Sequence, residues 1–346
     1  MGAKDTSGGR GRQRIDVHHH MFPPMLVDAL QASGVTHLGG EPLATSWTPE
    51  QSVEFMEQFG IATAILSVPT TLPGTTVERR RLARQINEFA HHLVKRRPQR
   101  FGFFAALPLP DIEAAVVEAQ YALDDLRADG VGLLTNQDGI YQGDPRLEPM
   151  YAELDRRGAA CFVHPTAPWV GGHAAESPLA HVQTSVLEFA FETTRAVANL
   201  VVNGTLQRYR RVRFIVTHAG GCVSSLAGRI VDRRPIVAAY SSMARNGETL
   251  PLAALEGMLE NAQRQTADLL ATLHYDIALS ADQQALAALR RLVPVTQLLL
   301  GTDFPLAREI GADVTLKGVH RFPGFTEDDR QALERTNAAR LLRINR

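Results

Sequence analysis

Short apolar runs alternate along this chain with longer stretches in which apolar residues recur every three or four positions. The runs at 15–20, 61–68, 101–107, 131–134, 160–164, 213–218, 274–279 and 297–303 have strand length and are rich in β-branched and aromatic residues. Between them the period is helical. Residues 77–97 carry Leu82, Ile86, Phe89 and Leu93 on one face. Start and stop signals agree with that reading. Thr48-Pro49-Glu50-Gln51 offers an N-cap, a proline at the first helical position and a Gln three residues on, with Gly60 as the stop. Asp111 begins a helix that runs to Leu126, and Gly158 closes one over 147–157. Further helices are expected over 186–202, about 224–270, 281–292 and 326–342, the last with Thr326 and Asp329 as its cap. Eight strands, each followed by helical sequence, imply a parallel sheet, and eight such units predict a closed (β/α)8 barrel of the TIM type. No Gly-x-Gly-x-x-Gly fingerprint opens the first helix, which argues against a dinucleotide fold.

Two regions exceed what a barrel needs, about 21–47 and 229–270. Both follow strand C-termini, so they are expected as insertions at the C-terminal face, serving as lids or dimer elements. Residues 1–13 are basic, Gly-rich and without an apolar stretch, and read as a disordered tail ahead of a single barrel over 14–346. The chain has 36 Lys+Arg against 37 Asp+Glu, a net charge of −1 that argues against nucleic acid as the main partner. No apolar run approaches the ~20 residues of a membrane span. Cys161 and Cys222 cannot make a disulfide framework. They read as small wall residues in a reducing, cytoplasmic setting.

The chemistry lies where the strands stop. The first ends in Asp16-Val17-His18-His19-His20, the fifth in Val163-His164-Pro165, the sixth in Thr217-His218-Ala219-Gly220-Gly221, and the eighth in Gly301-Thr302-Asp303-Phe304-Pro305. A barrel gathers these ends on one face, where imidazoles and carboxylates together make a divalent-metal site. Side chains alternate along a strand, so His18 and His20 share one side and His19 faces the outer layer.

Those four motifs resemble the amidohydrolase superfamily, and within it the 2-amino-3-carboxymuconate-6-semialdehyde decarboxylase branch. Three stretches, 14–24 (RIDVHHHMFPP), 103–109 (FFAALPL) and 128–136 (ADGVGLLTN), are similar to 6-methylsalicylate decarboxylases. The resemblance implies metal ligands His18, His20, His164 and Asp303. It implies His218 as an acid/base residue beside the metal, and Asp276 as a structural residue ending the seventh strand. It matches Arg229 to a position that brings a carboxylate-binding Arg across a homodimer interface. Superfamily members with two metals bridge them with a carboxylated Lys at a mid-barrel strand end. Here Lys occurs only at Lys4, Lys95 and Lys317, and the fourth strand ends Leu134-Thr135-Asn136, so one metal ion, Zn2+ or Mn2+, is expected. Asn136 is expected to make local backbone bonds.

The activity implied is non-oxidative decarboxylation of an aromatic, ortho-hydroxybenzoate-like acid, with His218 or Asp303 delivering the proton. Phe22, Trp47 and Phe304 could wall the ring or simply pack the core. The alternatives are metal-dependent hydrolysis of a lactone or amide, with His218 deprotonating water, and a metal-stabilised binding protein without turnover.

Overall fold

A computed structural model describes residues 13–344 apart from 176, 180 and 248. The tail expected at 1–13 therefore lies, but for Gln13, outside the described residues. Eight parallel strands form one sheet in chain order: β1 (Arg14–His20), β2 (Ile61–Ser67), β3 (Phe101–Ala106), β4 (Gly130–Leu134), β5 (Ala160–His164), β6 (Arg213–Val216), β7 (His274–Asp276) and β8 (Leu298–Leu299). The chain just past β8 returns to β1. Val17 N donates to Leu300 O at 3.0 Å, Asp303 N to His18 O at 2.8 Å, and His20 N to Phe304 O at 2.7 Å. These bonds close the sheet into the expected (β/α)8 barrel. They also join the two segments that carry three of the four expected ligands.

The helices form where the caps and periods place them. Thr48 and Gln51 make a reciprocal capping box at the start of α2 (Pro49–Gln58), which follows the short α1 (Pro24–Ala32). Helix α3 (Thr76–Arg96) buries Leu82, Ile86 and Leu93 against the sheet. Helices α4 (Ile112–Asp124) and α5 (Glu148–Arg157) begin at the Asp111 cap and end at Gly158 in the left-handed region. Helix α6 (Glu188–Val202) precedes β6. Inside the barrel, Ile15, Val17, Phe104, Phe162, Ile215 and Leu299 form a cluster capped by Leu341 and Leu342 near the C-terminus.

Some expectations need correction. The stretch 224–270 is not one helix. It breaks at Pro235 and Pro251 into short and long pieces, with α7 (Arg234–Arg245) and α8 (Leu252–Leu270) as the main ones. Since α8 leads directly into β7, it is the barrel's own crossover, and the segment beyond a barrel's need ends before it. The last three strands also stop earlier than expected. Their apolar runs continue into turns in which the His218, Ala278 and Thr302 amides donate to the carboxylates of Asp276 and Asp16.

Candidate active site

His18, His20, His164 and Asp303 each present one ligand atom, all within 4.8 Å of one another, and all four residues are buried. Strand β1 achieves this by a register irregularity. Its pairing with β2 jumps between Asp16 and His19, a bulge that switches the side-chain parity. Ile15 and Val17 fill the barrel below. Past the bulge His18 and His20 face the same interior, and His19 faces outward. There His19 bonds Asp16 Oδ2 and Ser52 Oγ, each at 3.0 Å, and lies 4.9 Å from the Phe304 ring. Asp16 is the outer anchor of the seam. Its carboxylate accepts from the His18 and Thr302 amides, both at 3.0 Å, and from Thr302 Oγ1 at 2.6 Å.

The two imidazoles of β1 are oriented from behind. His18 Nδ1 donates to Asp276 Oδ2 at 3.1 Å, and His20 Nδ1 lies 3.0 Å from Ser67 Oγ. Their Nε2 atoms are thereby aimed at one point, 3.0 Å apart and within 3.2 and 2.9 Å of Asp303 Oδ1. Three lone-pair atoms this close repel unless a cation sits among them. Without a metal that cation is a proton. Burial works against a charged His18, but Asp276 and Asp303 outweigh it and push its pKa up to about 10. Burial pulls His20 down to about 4 and His164 well below the usual range. Asp303 is buried too, yet His18 and His20 hold its carboxyl well below the ordinary value. Three neutral-capable imidazoles and an ionised carboxylate, with Nδ1 of His164 left without a hydrogen bond among the described residues, suit one divalent ion.

His218 stands beside this group, its ring 4.9 Å from that of His18 and 6.0 Å from that of His164. Nδ1–H donates to Ala278 O at 3.0 Å, which fixes the orientation of the ring. Its amide and that of Ala278 donate to Asp276 Oδ1, so one carboxylate positions both His18 and His218. The backbone here is strained. His218, Ala219, Gly220 and Gly221 have φ of 52°, 55°, 76° and 60°. A Cβ on Gly221 would stand 2.2 Å from Ala190 O, which explains the His-Ala-Gly-Gly sequence.

A family model described as amidohydrolase matches residues 15–344. The chain belongs to the amidohydrolase family. A 6-methylsalicylic acid decarboxylase of Penicillium expansum is 34% identical over 307 residues, covering 85% of each chain. Among solved structures, an amidohydrolase II superposes with a TM-score of 0.82 at 26% identity, covering 96% of this chain and all of that one. A dihydroxybenzoic acid decarboxylase of Polaromonas, solved with manganese, has a TM-score of 0.76 at 20% identity over 97% of this chain and 98% of that one.

Trp47 and Phe304 lie in the outer layer, where Phe304 stacks on Phe55 at 4.1 Å and Trp47 Nε1 donates to Ser52 Oγ at 3.0 Å. They pack the core rather than wall the site, and Phe22 is wholly buried. The aromatics beside the four residues are Phe162, 5.0 Å from the His18 ring, and Phe189, 6.2 Å from the His164 ring; of these Phe189 lies outside the strands. It is held by the hairpin tip Gly39-Gly40 of the 21–47 segment, with Ser185 N donating to Gly39 O at 3.0 Å. Arg229 is exposed and makes no side-chain bond among the described residues. Asn136 makes its expected local bond from Gly139 N, and also donates to Glu192 Oε2 at 2.9 Å and to Ala167 O at 3.1 Å. Sequence reasoning missed Asp16, Ser67 and Glu192.

Proposed function

We propose that this amidohydrolase is a metal-dependent, non-oxidative decarboxylase of an ortho-hydroxybenzoate-like aromatic acid. The observation that carries it is the buried His18/His20/His164/Asp303 group in a chain 34% identical to a decarboxylase of such an acid. The hydrolase alternative is not favoured, since similar curated relatives are named decarboxylases. His18, His20, His164 and Asp303 would hold one ion, Zn2+ or Mn2+. The manganese in the Polaromonas neighbour favours the latter. When bound, the ion supplies a Lewis acid that can hold the carboxylate and phenolate oxygens of a substrate.

The chain's own residues supply the rest. Decarboxylation requires a proton on the ring carbon that bears the carboxylate. The C–C bond then breaks, its electron pair restores the aromatic ring, and CO2 leaves. His218 Nε2 and Asp303 are the two groups placed to hold that proton. Asp276 positions His18 and His218 together, and Phe189 supplies an apolar surface beside His164. Arg229 would receive a substrate carboxylate across a homodimer interface. Helix α7, which buries no residue and exposes Val237 and Tyr240, supports such a pairing. A reducing, cytoplasmic setting fits the buried Cys161, whose thiol burial pushes up.

The test is direct. Metal-loaded protein incubated with ortho-hydroxybenzoates should consume the acid and yield the matching phenol. Cleavage of lactones with no benzoate decarboxylated would overturn the reading.

A further inference from the structure

The turn that carries His218 is held at its two ends by different elements. Its near end belongs to the strands. Thr217 Oγ1 donates to Val163 O at 3.1 Å, and His218 N to Asp276 Oδ1 at 3.3 Å. Its far end belongs to α6. Gly221 lies against the Ala190 carbonyl, and Cys222 N donates to Thr194 Oγ1 at 2.9 Å. Residues 218–221 all have positive φ, and His218 and Ala219 are not glycines. Such a turn persists only where its surroundings over-determine it.

Thr194 is the polar contact through which α6 does so. The residue is buried, and its hydroxyl donates to Ala190 O at 2.7 Å, one helical turn back. A threonine inside a helix often bonds the carbonyl four residues back. Here that bond has a second consequence. A hydroxyl has one proton and two lone pairs. With the proton committed to Ala190 O, the oxygen presents a lone pair, and the Cys222 amide donates to it. That amide has no other acceptor among the described residues. The carbonyl bonded by Thr194 is also the one that Gly221 lies against. One turn of α6 therefore meets the loop through a steric and a polar contact together.

We propose that Thr194 is a positioning residue for His218. Its hydroxyl fixes the Cys222 end of the turn, and through the turn the place of the His218 ring. The assignment rests on the reading of His218 as an acid–base residue of the decarboxylation. Thr194 bonds none of His18, His20, His164 and Asp303, so its effect is on His218 and not on metal binding.

Three variants of the full-length, metal-loaded protein test this. Thr194→Val keeps the size of the side chain and removes the hydroxyl. Thr194→Ser keeps the hydroxyl. Thr193→Val removes a neighbouring buried hydroxyl that has no hydrogen-bond partner among the described residues. Crystal structures give the place of the His218 ring, and rates are measured beside them. Thr194→Val should hold one ion per chain and show a displaced His218 ring. Its kcat should fall at least about tenfold with KM changed by less than about twofold, since misplacing a reacting group by 1 Å costs about 10² in rate. Thr194→Ser and Thr193→Val should match the wild type in ring position and kcat. Thr194→Val added to His218→Asn should lower kcat no further than His218→Asn alone, because a residue that acts through the imidazole has nothing left to act on. An unmoved ring in Thr194→Val, an equal loss in Thr193→Val, or a further loss on top of His218→Asn overturns the assignment. A displaced ring with undiminished CO2 release keeps the assignment and takes His218 out of the chemistry. A displaced ring in a protein whose wild type decarboxylates no benzoate keeps the assignment and sinks the decarboxylase reading alone.

Discussion

His164 and His218 stand 6.0 Å apart, ring to ring, yet substitution should separate them. His164→Ala removes one of the four converging ligand atoms and should purify with little metal. His218→Asn should keep its metal and lose about 10²–10⁴ in kcat, the usual reach of an acid–base residue. Elemental analysis beside a rate assay reads both, and metal retained in His164→Ala would remove that residue from the ligand set. The protonation of the empty group gives a second expectation. With His18 at about 10 and His20 at about 4, the group at pH 7 carries a proton on His18 and none on His20. An incoming ion displaces that proton. Metal affinity should therefore rise about tenfold per pH unit through neutral pH and level off as pH passes the His18 value. Calorimetry in buffers of different ionisation enthalpy should find about one proton released per ion. Zero protons released would contradict the account.

The turn after β6 is the element on which the position of His218, the proposed acid–base residue, depends. Gly221→Ala places a Cβ against the Ala190 carbonyl at a left-handed φ, so it should cost about 1–3 kcal/mol from the strained backbone alone. Chemical denaturation measures this, and an unchanged midpoint would mean that the turn tolerates a side chain. At this scale the sequence was readable wherever a local rule decides. The Thr48, Asp111 and Thr326 caps, the Gly158 stop and the eight strands follow from neighbours along the chain. The four converging residues stood out because polar residues interrupt apolar runs at strand ends. What was hidden depends on contacts between distant segments. Asp16 matters through Thr302, 286 positions away, and Ser67 through His20, 47 positions away. The parity of the histidines came out as alternation expects, but the bulge that delivers it is visible only in the pairing of β1 with β2. The early end of β6 has the same origin, since His218 leaves the strand to bond Asp276 and Ala278.

The molecule as a whole presents a barrel with two added segments, the hairpin of 21–47 against Phe189 and the helices after β6, where Arg234 bonds Val202 O at the end of α6. Helix α7 exposes Val237 at 60% and Tyr240 at 56%, one turn apart. Apolar side chains grouped in this way mark an interaction surface. If a second copy covers it, Val237→Asp together with Tyr240→Asp should yield monomers by sedimentation and lower turnover, because Arg229 would then have no partner site to enter. A wild-type protein that sediments as a monomer would remove both expectations. The central claim concerns the chemistry at the ring of strand ends, and one measurement addresses it most directly. Carboxyl-labelled ortho-hydroxybenzoate is supplied to protein of known metal content, and labelled CO2 is collected. The account predicts labelled CO2 in step with phenol formed, from protein holding one ion per chain, and none from His164→Ala. Active protein with no bound metal, or full activity in His164→Ala, would contradict it.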